Sequence, residues 1–122
     1  MNKTFCITNV KVYVYGEMPP AGLADSTRQI GELGYVIVEL ETNEGISGIG
    51  LTYHEVGTEA ICTFILKTIA PQIIGMNPLQ HEIINEKIKA DFRAVGRKGL
   101  AFCALSAVDI ALWDIKGKYA GL

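Results

Sequence analysis

The stretch Gly99-Leu-Ala-Phe-Cys-Ala-Leu-Ser-Ala-Val-Asp-Ile-Ala-Leu-Trp-Asp-Ile-Lys-Gly-Lys118 has the spacing of a helix. Leu100, Ala101, Ala104, Leu105, Val108, Leu112 and Ile115 recur at three- and four-residue intervals, which puts them on one stripe. Phe102, Ala107, Ile110, Ala111 and Trp113 occupy most of the remaining surface. A helix apolar almost all round is expected to be buried on more than one side. Asp114 and Lys118 stand four apart with the acid first, the favourable order for a helical pair. Lys116 and Lys118 suit the negative end of the helix dipole, and Gly121 is placed to end the helix. Such a helix needs more partner surface than a small domain supplies, and it points to a larger assembly.

The segments before it read as strands and then helices. Residues 4–15 alternate, with Val10, Val12 and Val14 on one face, and this strand is expected to end at Gly16. Residues 17–34 form a long connection containing Pro19, Pro20, Gly22, Gly31 and Gly34. A connection of that length in a compact domain is usually a lid, a binding loop or disordered, and Met18, Leu23 and Ile30, which give it something to pack with, favour the lid or binding reading. In residues 35–41, Val36, Val38 and Leu40 face one way and Glu39 and Glu41 the other, so the two acids are expected on the solvent face. Thr42-Asn43-Glu44-Gly45 is a turn with Gly where positive φ is needed. Ile46–Leu51 then completes a hairpin over 35–51. Gly48 and Gly50 fall on one face of that third strand, where they make room for a packed helix or for another backbone.

Residues 58–70 read as a helix with Ile61, Phe64, Ile65 and Ile69 on its stripe, stopped by Pro71. Asn77-Pro78 is expected to open the next helix, with Asn as N-cap and Gln80 three residues on. Its apolar stripe is Ile83, Ile84, Ile88 and Phe92, and His81 in its first turn is expected to be exposed. Three strands followed by three helices predict an α+β domain, a three-stranded antiparallel meander covered on one face by helices. At 122 residues the whole chain, 1–122, is read as one domain.

Composition narrows the function. The net charge of −2, without a basic run, gives no electrostatic footprint for nucleic acid. Cys6, Cys62 and Cys103 are odd in number and form no C-x-x-C pair, so neither a zinc site nor a disulfide framework is indicated. No signal peptide and no transmembrane run is read, and a cytoplasmic protein without membrane contact is expected. Phosphate-binding glycine motifs are absent. His54, at the exit of the third strand beside Glu55, has the chemistry of an acid/base group; from the residues alone it reads more simply as a surface histidine. Val95-Gly-Arg-Lys-Gly99 is a basic loop that an anion would suit before the long helix, while each residue alone reads more simply as ordinary surface charge. Asp109 and Asp114 are five apart, about 140° round a helix of ~3.6 residues per turn. They cannot both reach one ion, and hydrogen bonding is their expected role.

The run Ala104-Leu-Ser-Ala-Val-Asp-Ile-Ala-Leu-Trp-Asp-Ile-Lys-Gly-Lys118 resembles the last helix of the N-terminal capping domain of the enolase superfamily, in its mandelate racemase/muconate lactonizing enzyme branch. The strand, long loop, hairpin ending in Gly-x-Gly, and Asn-Pro helix opening extend the resemblance over essentially the whole chain. Arg97-Lys98-Gly99 resembles the basic entry to this helix in sugar-acid dehydratases of the branch. Gly48-Ile-Gly50-Leu-Thr departs from the pattern in which many relatives place Trp and Glu there.

The resemblance implies a lyase or isomerase: an acid-sugar dehydratase, racemase or cycloisomerase that removes a proton next to a carboxylate. It implies Mg2+ bound by a C-terminal barrel domain, whose ligands and catalytic groups are not in this chain, a small carboxylate substrate, and a homo-oligomer. This chain would then carry no catalytic residue and no metal ligand of its own. What carries over is the cap. Residues 16–32 and 52–57 match the loops that close over the barrel mouth, with Met18, Pro19, Tyr53 and His54 nearest the substrate. The alternative is a stand-alone binding or assembly module that reuses the cap fold.

Overall fold

The computed structural model describes residues 4–17, 24–30 and 33–122. Three strands come first: β1 (Ile7–Glu17), β2 (Leu33–Thr42) and β3 (Ser47–His54). Then follow α1 (Thr58–Phe64), a π-helical turn (Ile65–Ile69), α2 (Ala70–Ile73), α3 (His81–Ala90), α4 (Phe92–Val95) and α5 (Leu100–Tyr119). The strands form one antiparallel sheet in the order β1-β2-β3. The meander followed by helices is therefore the fold that the hydrophobic pattern predicts.

The core lies between one face of the sheet and the helices. Val36, Val38 and Leu40 are fully buried, opposite Ile61, Ile65, Ile69 and Ile73 and the α3 residues Ile84 and Ile88. Each such side chain contributes about 1.5–3 kcal/mol on burial, several times an exposed ion pair at about 0.2–1 kcal/mol. Apolar spacing therefore dominates the fold, and surface charge adjusts it.

Helix α5 lies directly on β3. A Cβ built on Gly50 would collide with the Ala107 carbonyl, and one on Gly48 with the Ala111 carbonyl and the Ile115 side chain. The two glycines thus admit both a helix and its backbone, which joins the two alternatives read from the sequence. Asp114 and Lys118 then close the outer edge of β3. Ile49 N–H donates to Asp114 Oδ2 at 2.9 Å, and Lys118 Nζ donates to the Ser47 carbonyl at 2.8 Å. An edge strand carries unpaired backbone groups, and these two side chains occupy part of that row. At its far end α5 stops on Gly121 at φ +80°, with Gly121 N–H to Lys118 O at 3.1 Å and Leu122 N–H to Gly117 O at 2.9 Å. That pair of bonds is the left-handed glycine cap expected there.

Several boundaries differ from expectation. The strand read from residue 4 starts at Ile7, because Asn43 engages the preceding residues through its side chain. Cys6 N–H donates to Asn43 Oδ1 at 2.9 Å, and Asn43 Nδ2 donates to the Thr4 carbonyl at 2.8 Å. The β1–β2 ladder runs past Gly16 to Glu17↔Leu33, and β3 runs on to His54. Val14 is 55% exposed rather than core-facing: it lies on the edge strand β1, while its partner Val36 on the central strand is fully buried.

Pro71 sits inside a helical run instead of stopping it. Proline lacks an N–H and crowds the carbonyl four residues back. Here the preceding turn widens, with Ala70 N–H bonding to Ile65 O, five residues back. Gln72 Nε2 satisfies the Thr68 carbonyl at 2.7 Å. Asn77 does not cap α3 either. Its Oδ1 accepts from Leu79 N–H at 2.9 Å and its carbonyl from Gln80 N–H at 3.1 Å, so it builds a separate turn and α3 begins at His81. Of the stripe expected on that helix, Ile84, Ile88 and Phe92 are buried and Ile83 is exposed. His81 is half-buried, not exposed, because its ring packs on Trp113 at a centroid distance of 4.4 Å. On α5, Leu100, Phe102, Ile110 and Trp113 remain exposed in this chain, so burial on more than one side is incomplete.

Candidate functional site: a cleft at the end of β3

An open cleft of about 380 Å³ lies where β3 ends, lined by Arg28, Thr52, Tyr53, His54, Glu55, Val56 and Cys103. Three segments build it: the described part of the connection after β1, the exit of β3, and the first turns of α5. The exit is short because Gly57, at φ +86°, turns the chain directly into α1.

His54 is fixed by its own loop. Val56 N–H donates to His54 Nδ1 at 2.9 Å. With Nδ1 occupied as an acceptor, Nε2 is the ring nitrogen left to donate, so the residue offers an N–H at Nε2. Tyr53, one residue earlier, belongs to the other face of the sheet by strand alternation. Register places it beside Tyr35, which in turn pairs with Tyr15, and its side chain is among the most exposed aromatics. The structure thus brings both residues to the cleft but divides their rings between two faces. Met18 and Pro19 lie outside the described residues.

Arg28 and Glu55 lie in the two loops that the sequence assigns to the site without being singled out there, and Cys103 is not placed at the site by sequence at all. Arg28 Nη2 meets Glu55 Oε2 at 2.8 Å, joining the connection after β1 to the exit of β3. Arg28 is held by a turn centred on Asp25, whose Oδ1 accepts from Thr27 Oγ1 and N–H, both at 2.7 Å, and from Arg28 N–H at 3.0 Å. The Thr27 hydroxyl, followed by the backbone amides and the Arg28 charge, holds the Asp25 carboxyl below the usual carboxylate range. Cys103 reads in sequence as a small hydrophobe, and only the docking of α5 on β3 carries it to the cleft. Nothing in the residue types signals the Arg28–Glu55 pairing, which spans 27 positions.

The other suggested features lie elsewhere. Arg97 lines a separate hollow with Glu86 and Lys89, and Lys98 lies near Phe64 and Val95, so the basic loop does not reach the cleft. Glu41 pairs with Lys11 at 2.6 Å and Glu39 accepts from the Tyr13 hydroxyl at 3.3 Å, both as surface contacts. Asp109 accepts from Asn85 Nδ2 at 2.7 Å, while Asp114 is engaged at Ile49 and Lys118. Among the described residues no three His, Cys, Asp or Glu side chains gather as a metal-binding group. The two aspartates expected to serve as hydrogen-bonding groups do so, and this donor set does not fit a divalent cation. Among the described residues no helix is long and apolar enough to cross a membrane. The cleft can bind and orient a polar ligand through one imidazole donor and the Arg28–Glu55 pair. Among the described residues it holds no paired nucleophile and base.

Residues 7–122 match the family model of the mandelate racemase/muconate lactonizing enzyme N-terminal domain. The chain is 35% identical over 101 residues to L-talarate/galactarate dehydratase of Salmonella typhimurium, covering 82% of this chain and 25% of that protein. It is 34% identical over 113 residues to 3,6-anhydro-alpha-L-galactonate cycloisomerase of Streptomyces coelicolor, covering 91% and 31%. A solved racemase from Streptomyces coelicolor with bound magnesium superposes with a TM-score of 0.88 at 34% identity, over 93% of this chain and 32% of that one. The chain therefore spans about a quarter to a third of the length of these relatives. From its first strand to the glycine cap of its last helix, the chain belongs to the mandelate racemase/muconate lactonizing enzyme N-terminal domain family.

Proposed function

We propose that this chain, residues 1–122, is the substrate-capping domain of a magnesium-dependent enzyme that removes a proton next to a carboxylate, acting on a small acid sugar as a dehydratase, racemase or cycloisomerase. The observation that carries the reading is the cleft at the end of β3, built jointly by the loop after β1 and the loop after β3. In this reading the magnesium ligands and the groups that move the proton belong to a C-terminal barrel domain. This chain's residues bind, orient and select. His54 Nε2–H donates to a substrate hydroxyl or carboxylate, Tyr53 borders the site from the neighbouring face, and Met18 and Pro19 complete the loop after β1. The apolar surface left on α5 at Phe102, Ile110 and Trp113 supports packing against the barrel or further copies in a cytoplasmic homo-oligomer.

Two measurements test it. The intact mass of the polypeptide as its host makes it is expected to include about 250 further residues, the size of a barrel. A mass that ends with this chain would leave a stand-alone binding module in its place. Calorimetric titration of this chain with Mg2+ is expected to show no stoichiometric site, because the aspartates are already engaged. A tight one-to-one isotherm would place the metal centre in this domain and overturn the division of labour.

A further inference from the structure

Arg28 reaches the cleft from a turn that is already built. Asp25 N–H donates to the Arg28 carbonyl at 3.0 Å, Arg28 N–H donates to Asp25 Oδ1 at 3.0 Å, and Ala24 and Gln29 form a backbone bridge around them. Glu55 is equally constrained. It sits between His54 and Val56, whose imidazole and amide bond to each other at 2.9 Å. Its side chain is one-fifth exposed. Among the described residues, the 2.8 Å contact between Arg28 and Glu55 is the one polar link between 24–30 and 52–57. The guanidinium has a second anion within reach, Asp25, but at 4.0 Å, and the Coulomb attraction falls with distance. A long side chain usually gives up much of an ion pair's benefit in rotamer entropy. Each loop is built by its own bonds, so what the pair adds is the placement of one loop against the other.

We propose that Arg28 and Glu55 are positioning residues whose ion pair straps the loop after β1 to the loop after β3. The two edges of the cleft then hold one geometry, and His54, adjacent to Glu55, is kept at a set distance from the opposite edge. The inference rests on the reading of this cleft as substrate-facing, and it adds a pair that touches no reacting atom.

Amide hydrogen exchange at Asp25, Thr27 and Arg28 reads the strap without any ligand. Glu55→Gln is expected to speed exchange at these amides by about two- to fivefold, the range of an exposed ion pair. Exchange in α5, which carries much of the core, stays unchanged and confirms that the core is intact. In an Arg28→Met background, where the pair is already gone, Glu55→Gln is expected to change the Asp25 and Thr27 rates no further. Unchanged exchange in Glu55→Gln alone, or a further increase in that background, overturns the strap. In the polypeptide as its host makes it, Glu55→Gln is then expected to raise KM for an acid sugar by a similar factor with kcat unmoved. Faster exchange with an unmoved KM overturns the substrate-facing reading of the cleft and leaves the strap standing.

Discussion

Asp114 reads in sequence as half of a helical ion pair with Lys118, and in the structure that is the lesser part of its role. The pair itself, 2.9 Å apart, is partly exposed, and such pairs contribute about 0.2–1 kcal/mol. The hydrogen bond from Ile49 N–H to the same carboxylate joins α5 to the outer edge of β3, and a bond to a charged group contributes about 1.5–3 kcal/mol. Asp114→Ala is therefore expected to cost about 1–2 kcal/mol in urea unfolding after allowing for solvent exposure, and Lys118→Ala less than half of that. Burial alone would push the Asp114 carboxyl up. The Ile49 amide and the Lys118 ammonium together outweigh it and hold the carboxyl below the usual carboxylate range. A carboxyl whose folded value is depressed contributes stability above its unfolded value and loses it as pH falls through the folded one. The difference between wild type and Asp114→Ala is thus expected to be full at neutral pH and to shrink below about pH 4.

The packing of α5 on β3 sets the architecture at the scale of elements, and Gly50 is where it is tightest. A methyl group there meets the backbone of Ala107, which cannot turn aside as a side chain would. Gly50→Ala is expected to destabilise by about 3 kcal/mol, the upper end for overpacking, with denaturation followed at Trp113, the chain's one tryptophan. Most of this element's packing is legible in sequence. Its buried stripe, Leu100 excepted, and its glycine cap follow from spacing and residue type, and the two glycines opposite it signal a close approach without saying by what. Pro71 and Asn77 misled for a physical reason. Each residue type favours a boundary, but tertiary packing of Ile69 and Ile73 keeps the chain helical through Pro71 by widening one turn. Asn77 uses the same capping chemistry to close a turn three residues earlier than the helix. Local signals name a bond that a residue can make, and packing decides which element receives it.

For the whole molecule, the family and the fold were legible because they rest on periodicity and on the Ala-x-Asp-x-Ala-x-Trp-Asp helix. The cleft was legible only in part. His54 and Tyr53 stand at a strand exit that alternation can locate, whereas Arg28 and Cys103 arrive from 26 residues upstream and 49 downstream of His54, through contacts that no local pattern encodes. The sheet also separates His54 from Tyr53, which ranks them. His54 faces the side where α5 and Arg28 converge, and Tyr53 joins the tyrosine row behind it. Substrate selection by this cleft therefore depends on His54 more than on any other residue. Relative turnover of a panel of acid sugars, in Mg2+, by the polypeptide as its host makes it and by its His54→Ala variant is the most direct test. The expected result is that the variant keeps kcat on at least one substrate while its kcat/KM preference between acid sugars changes by about tenfold, one hydrogen bond to a substrate. If wild type turns over acid sugars and His54→Ala leaves every kcat/KM ratio unchanged, the cleft at the end of β3 does not select the substrate, and the central claim is contradicted.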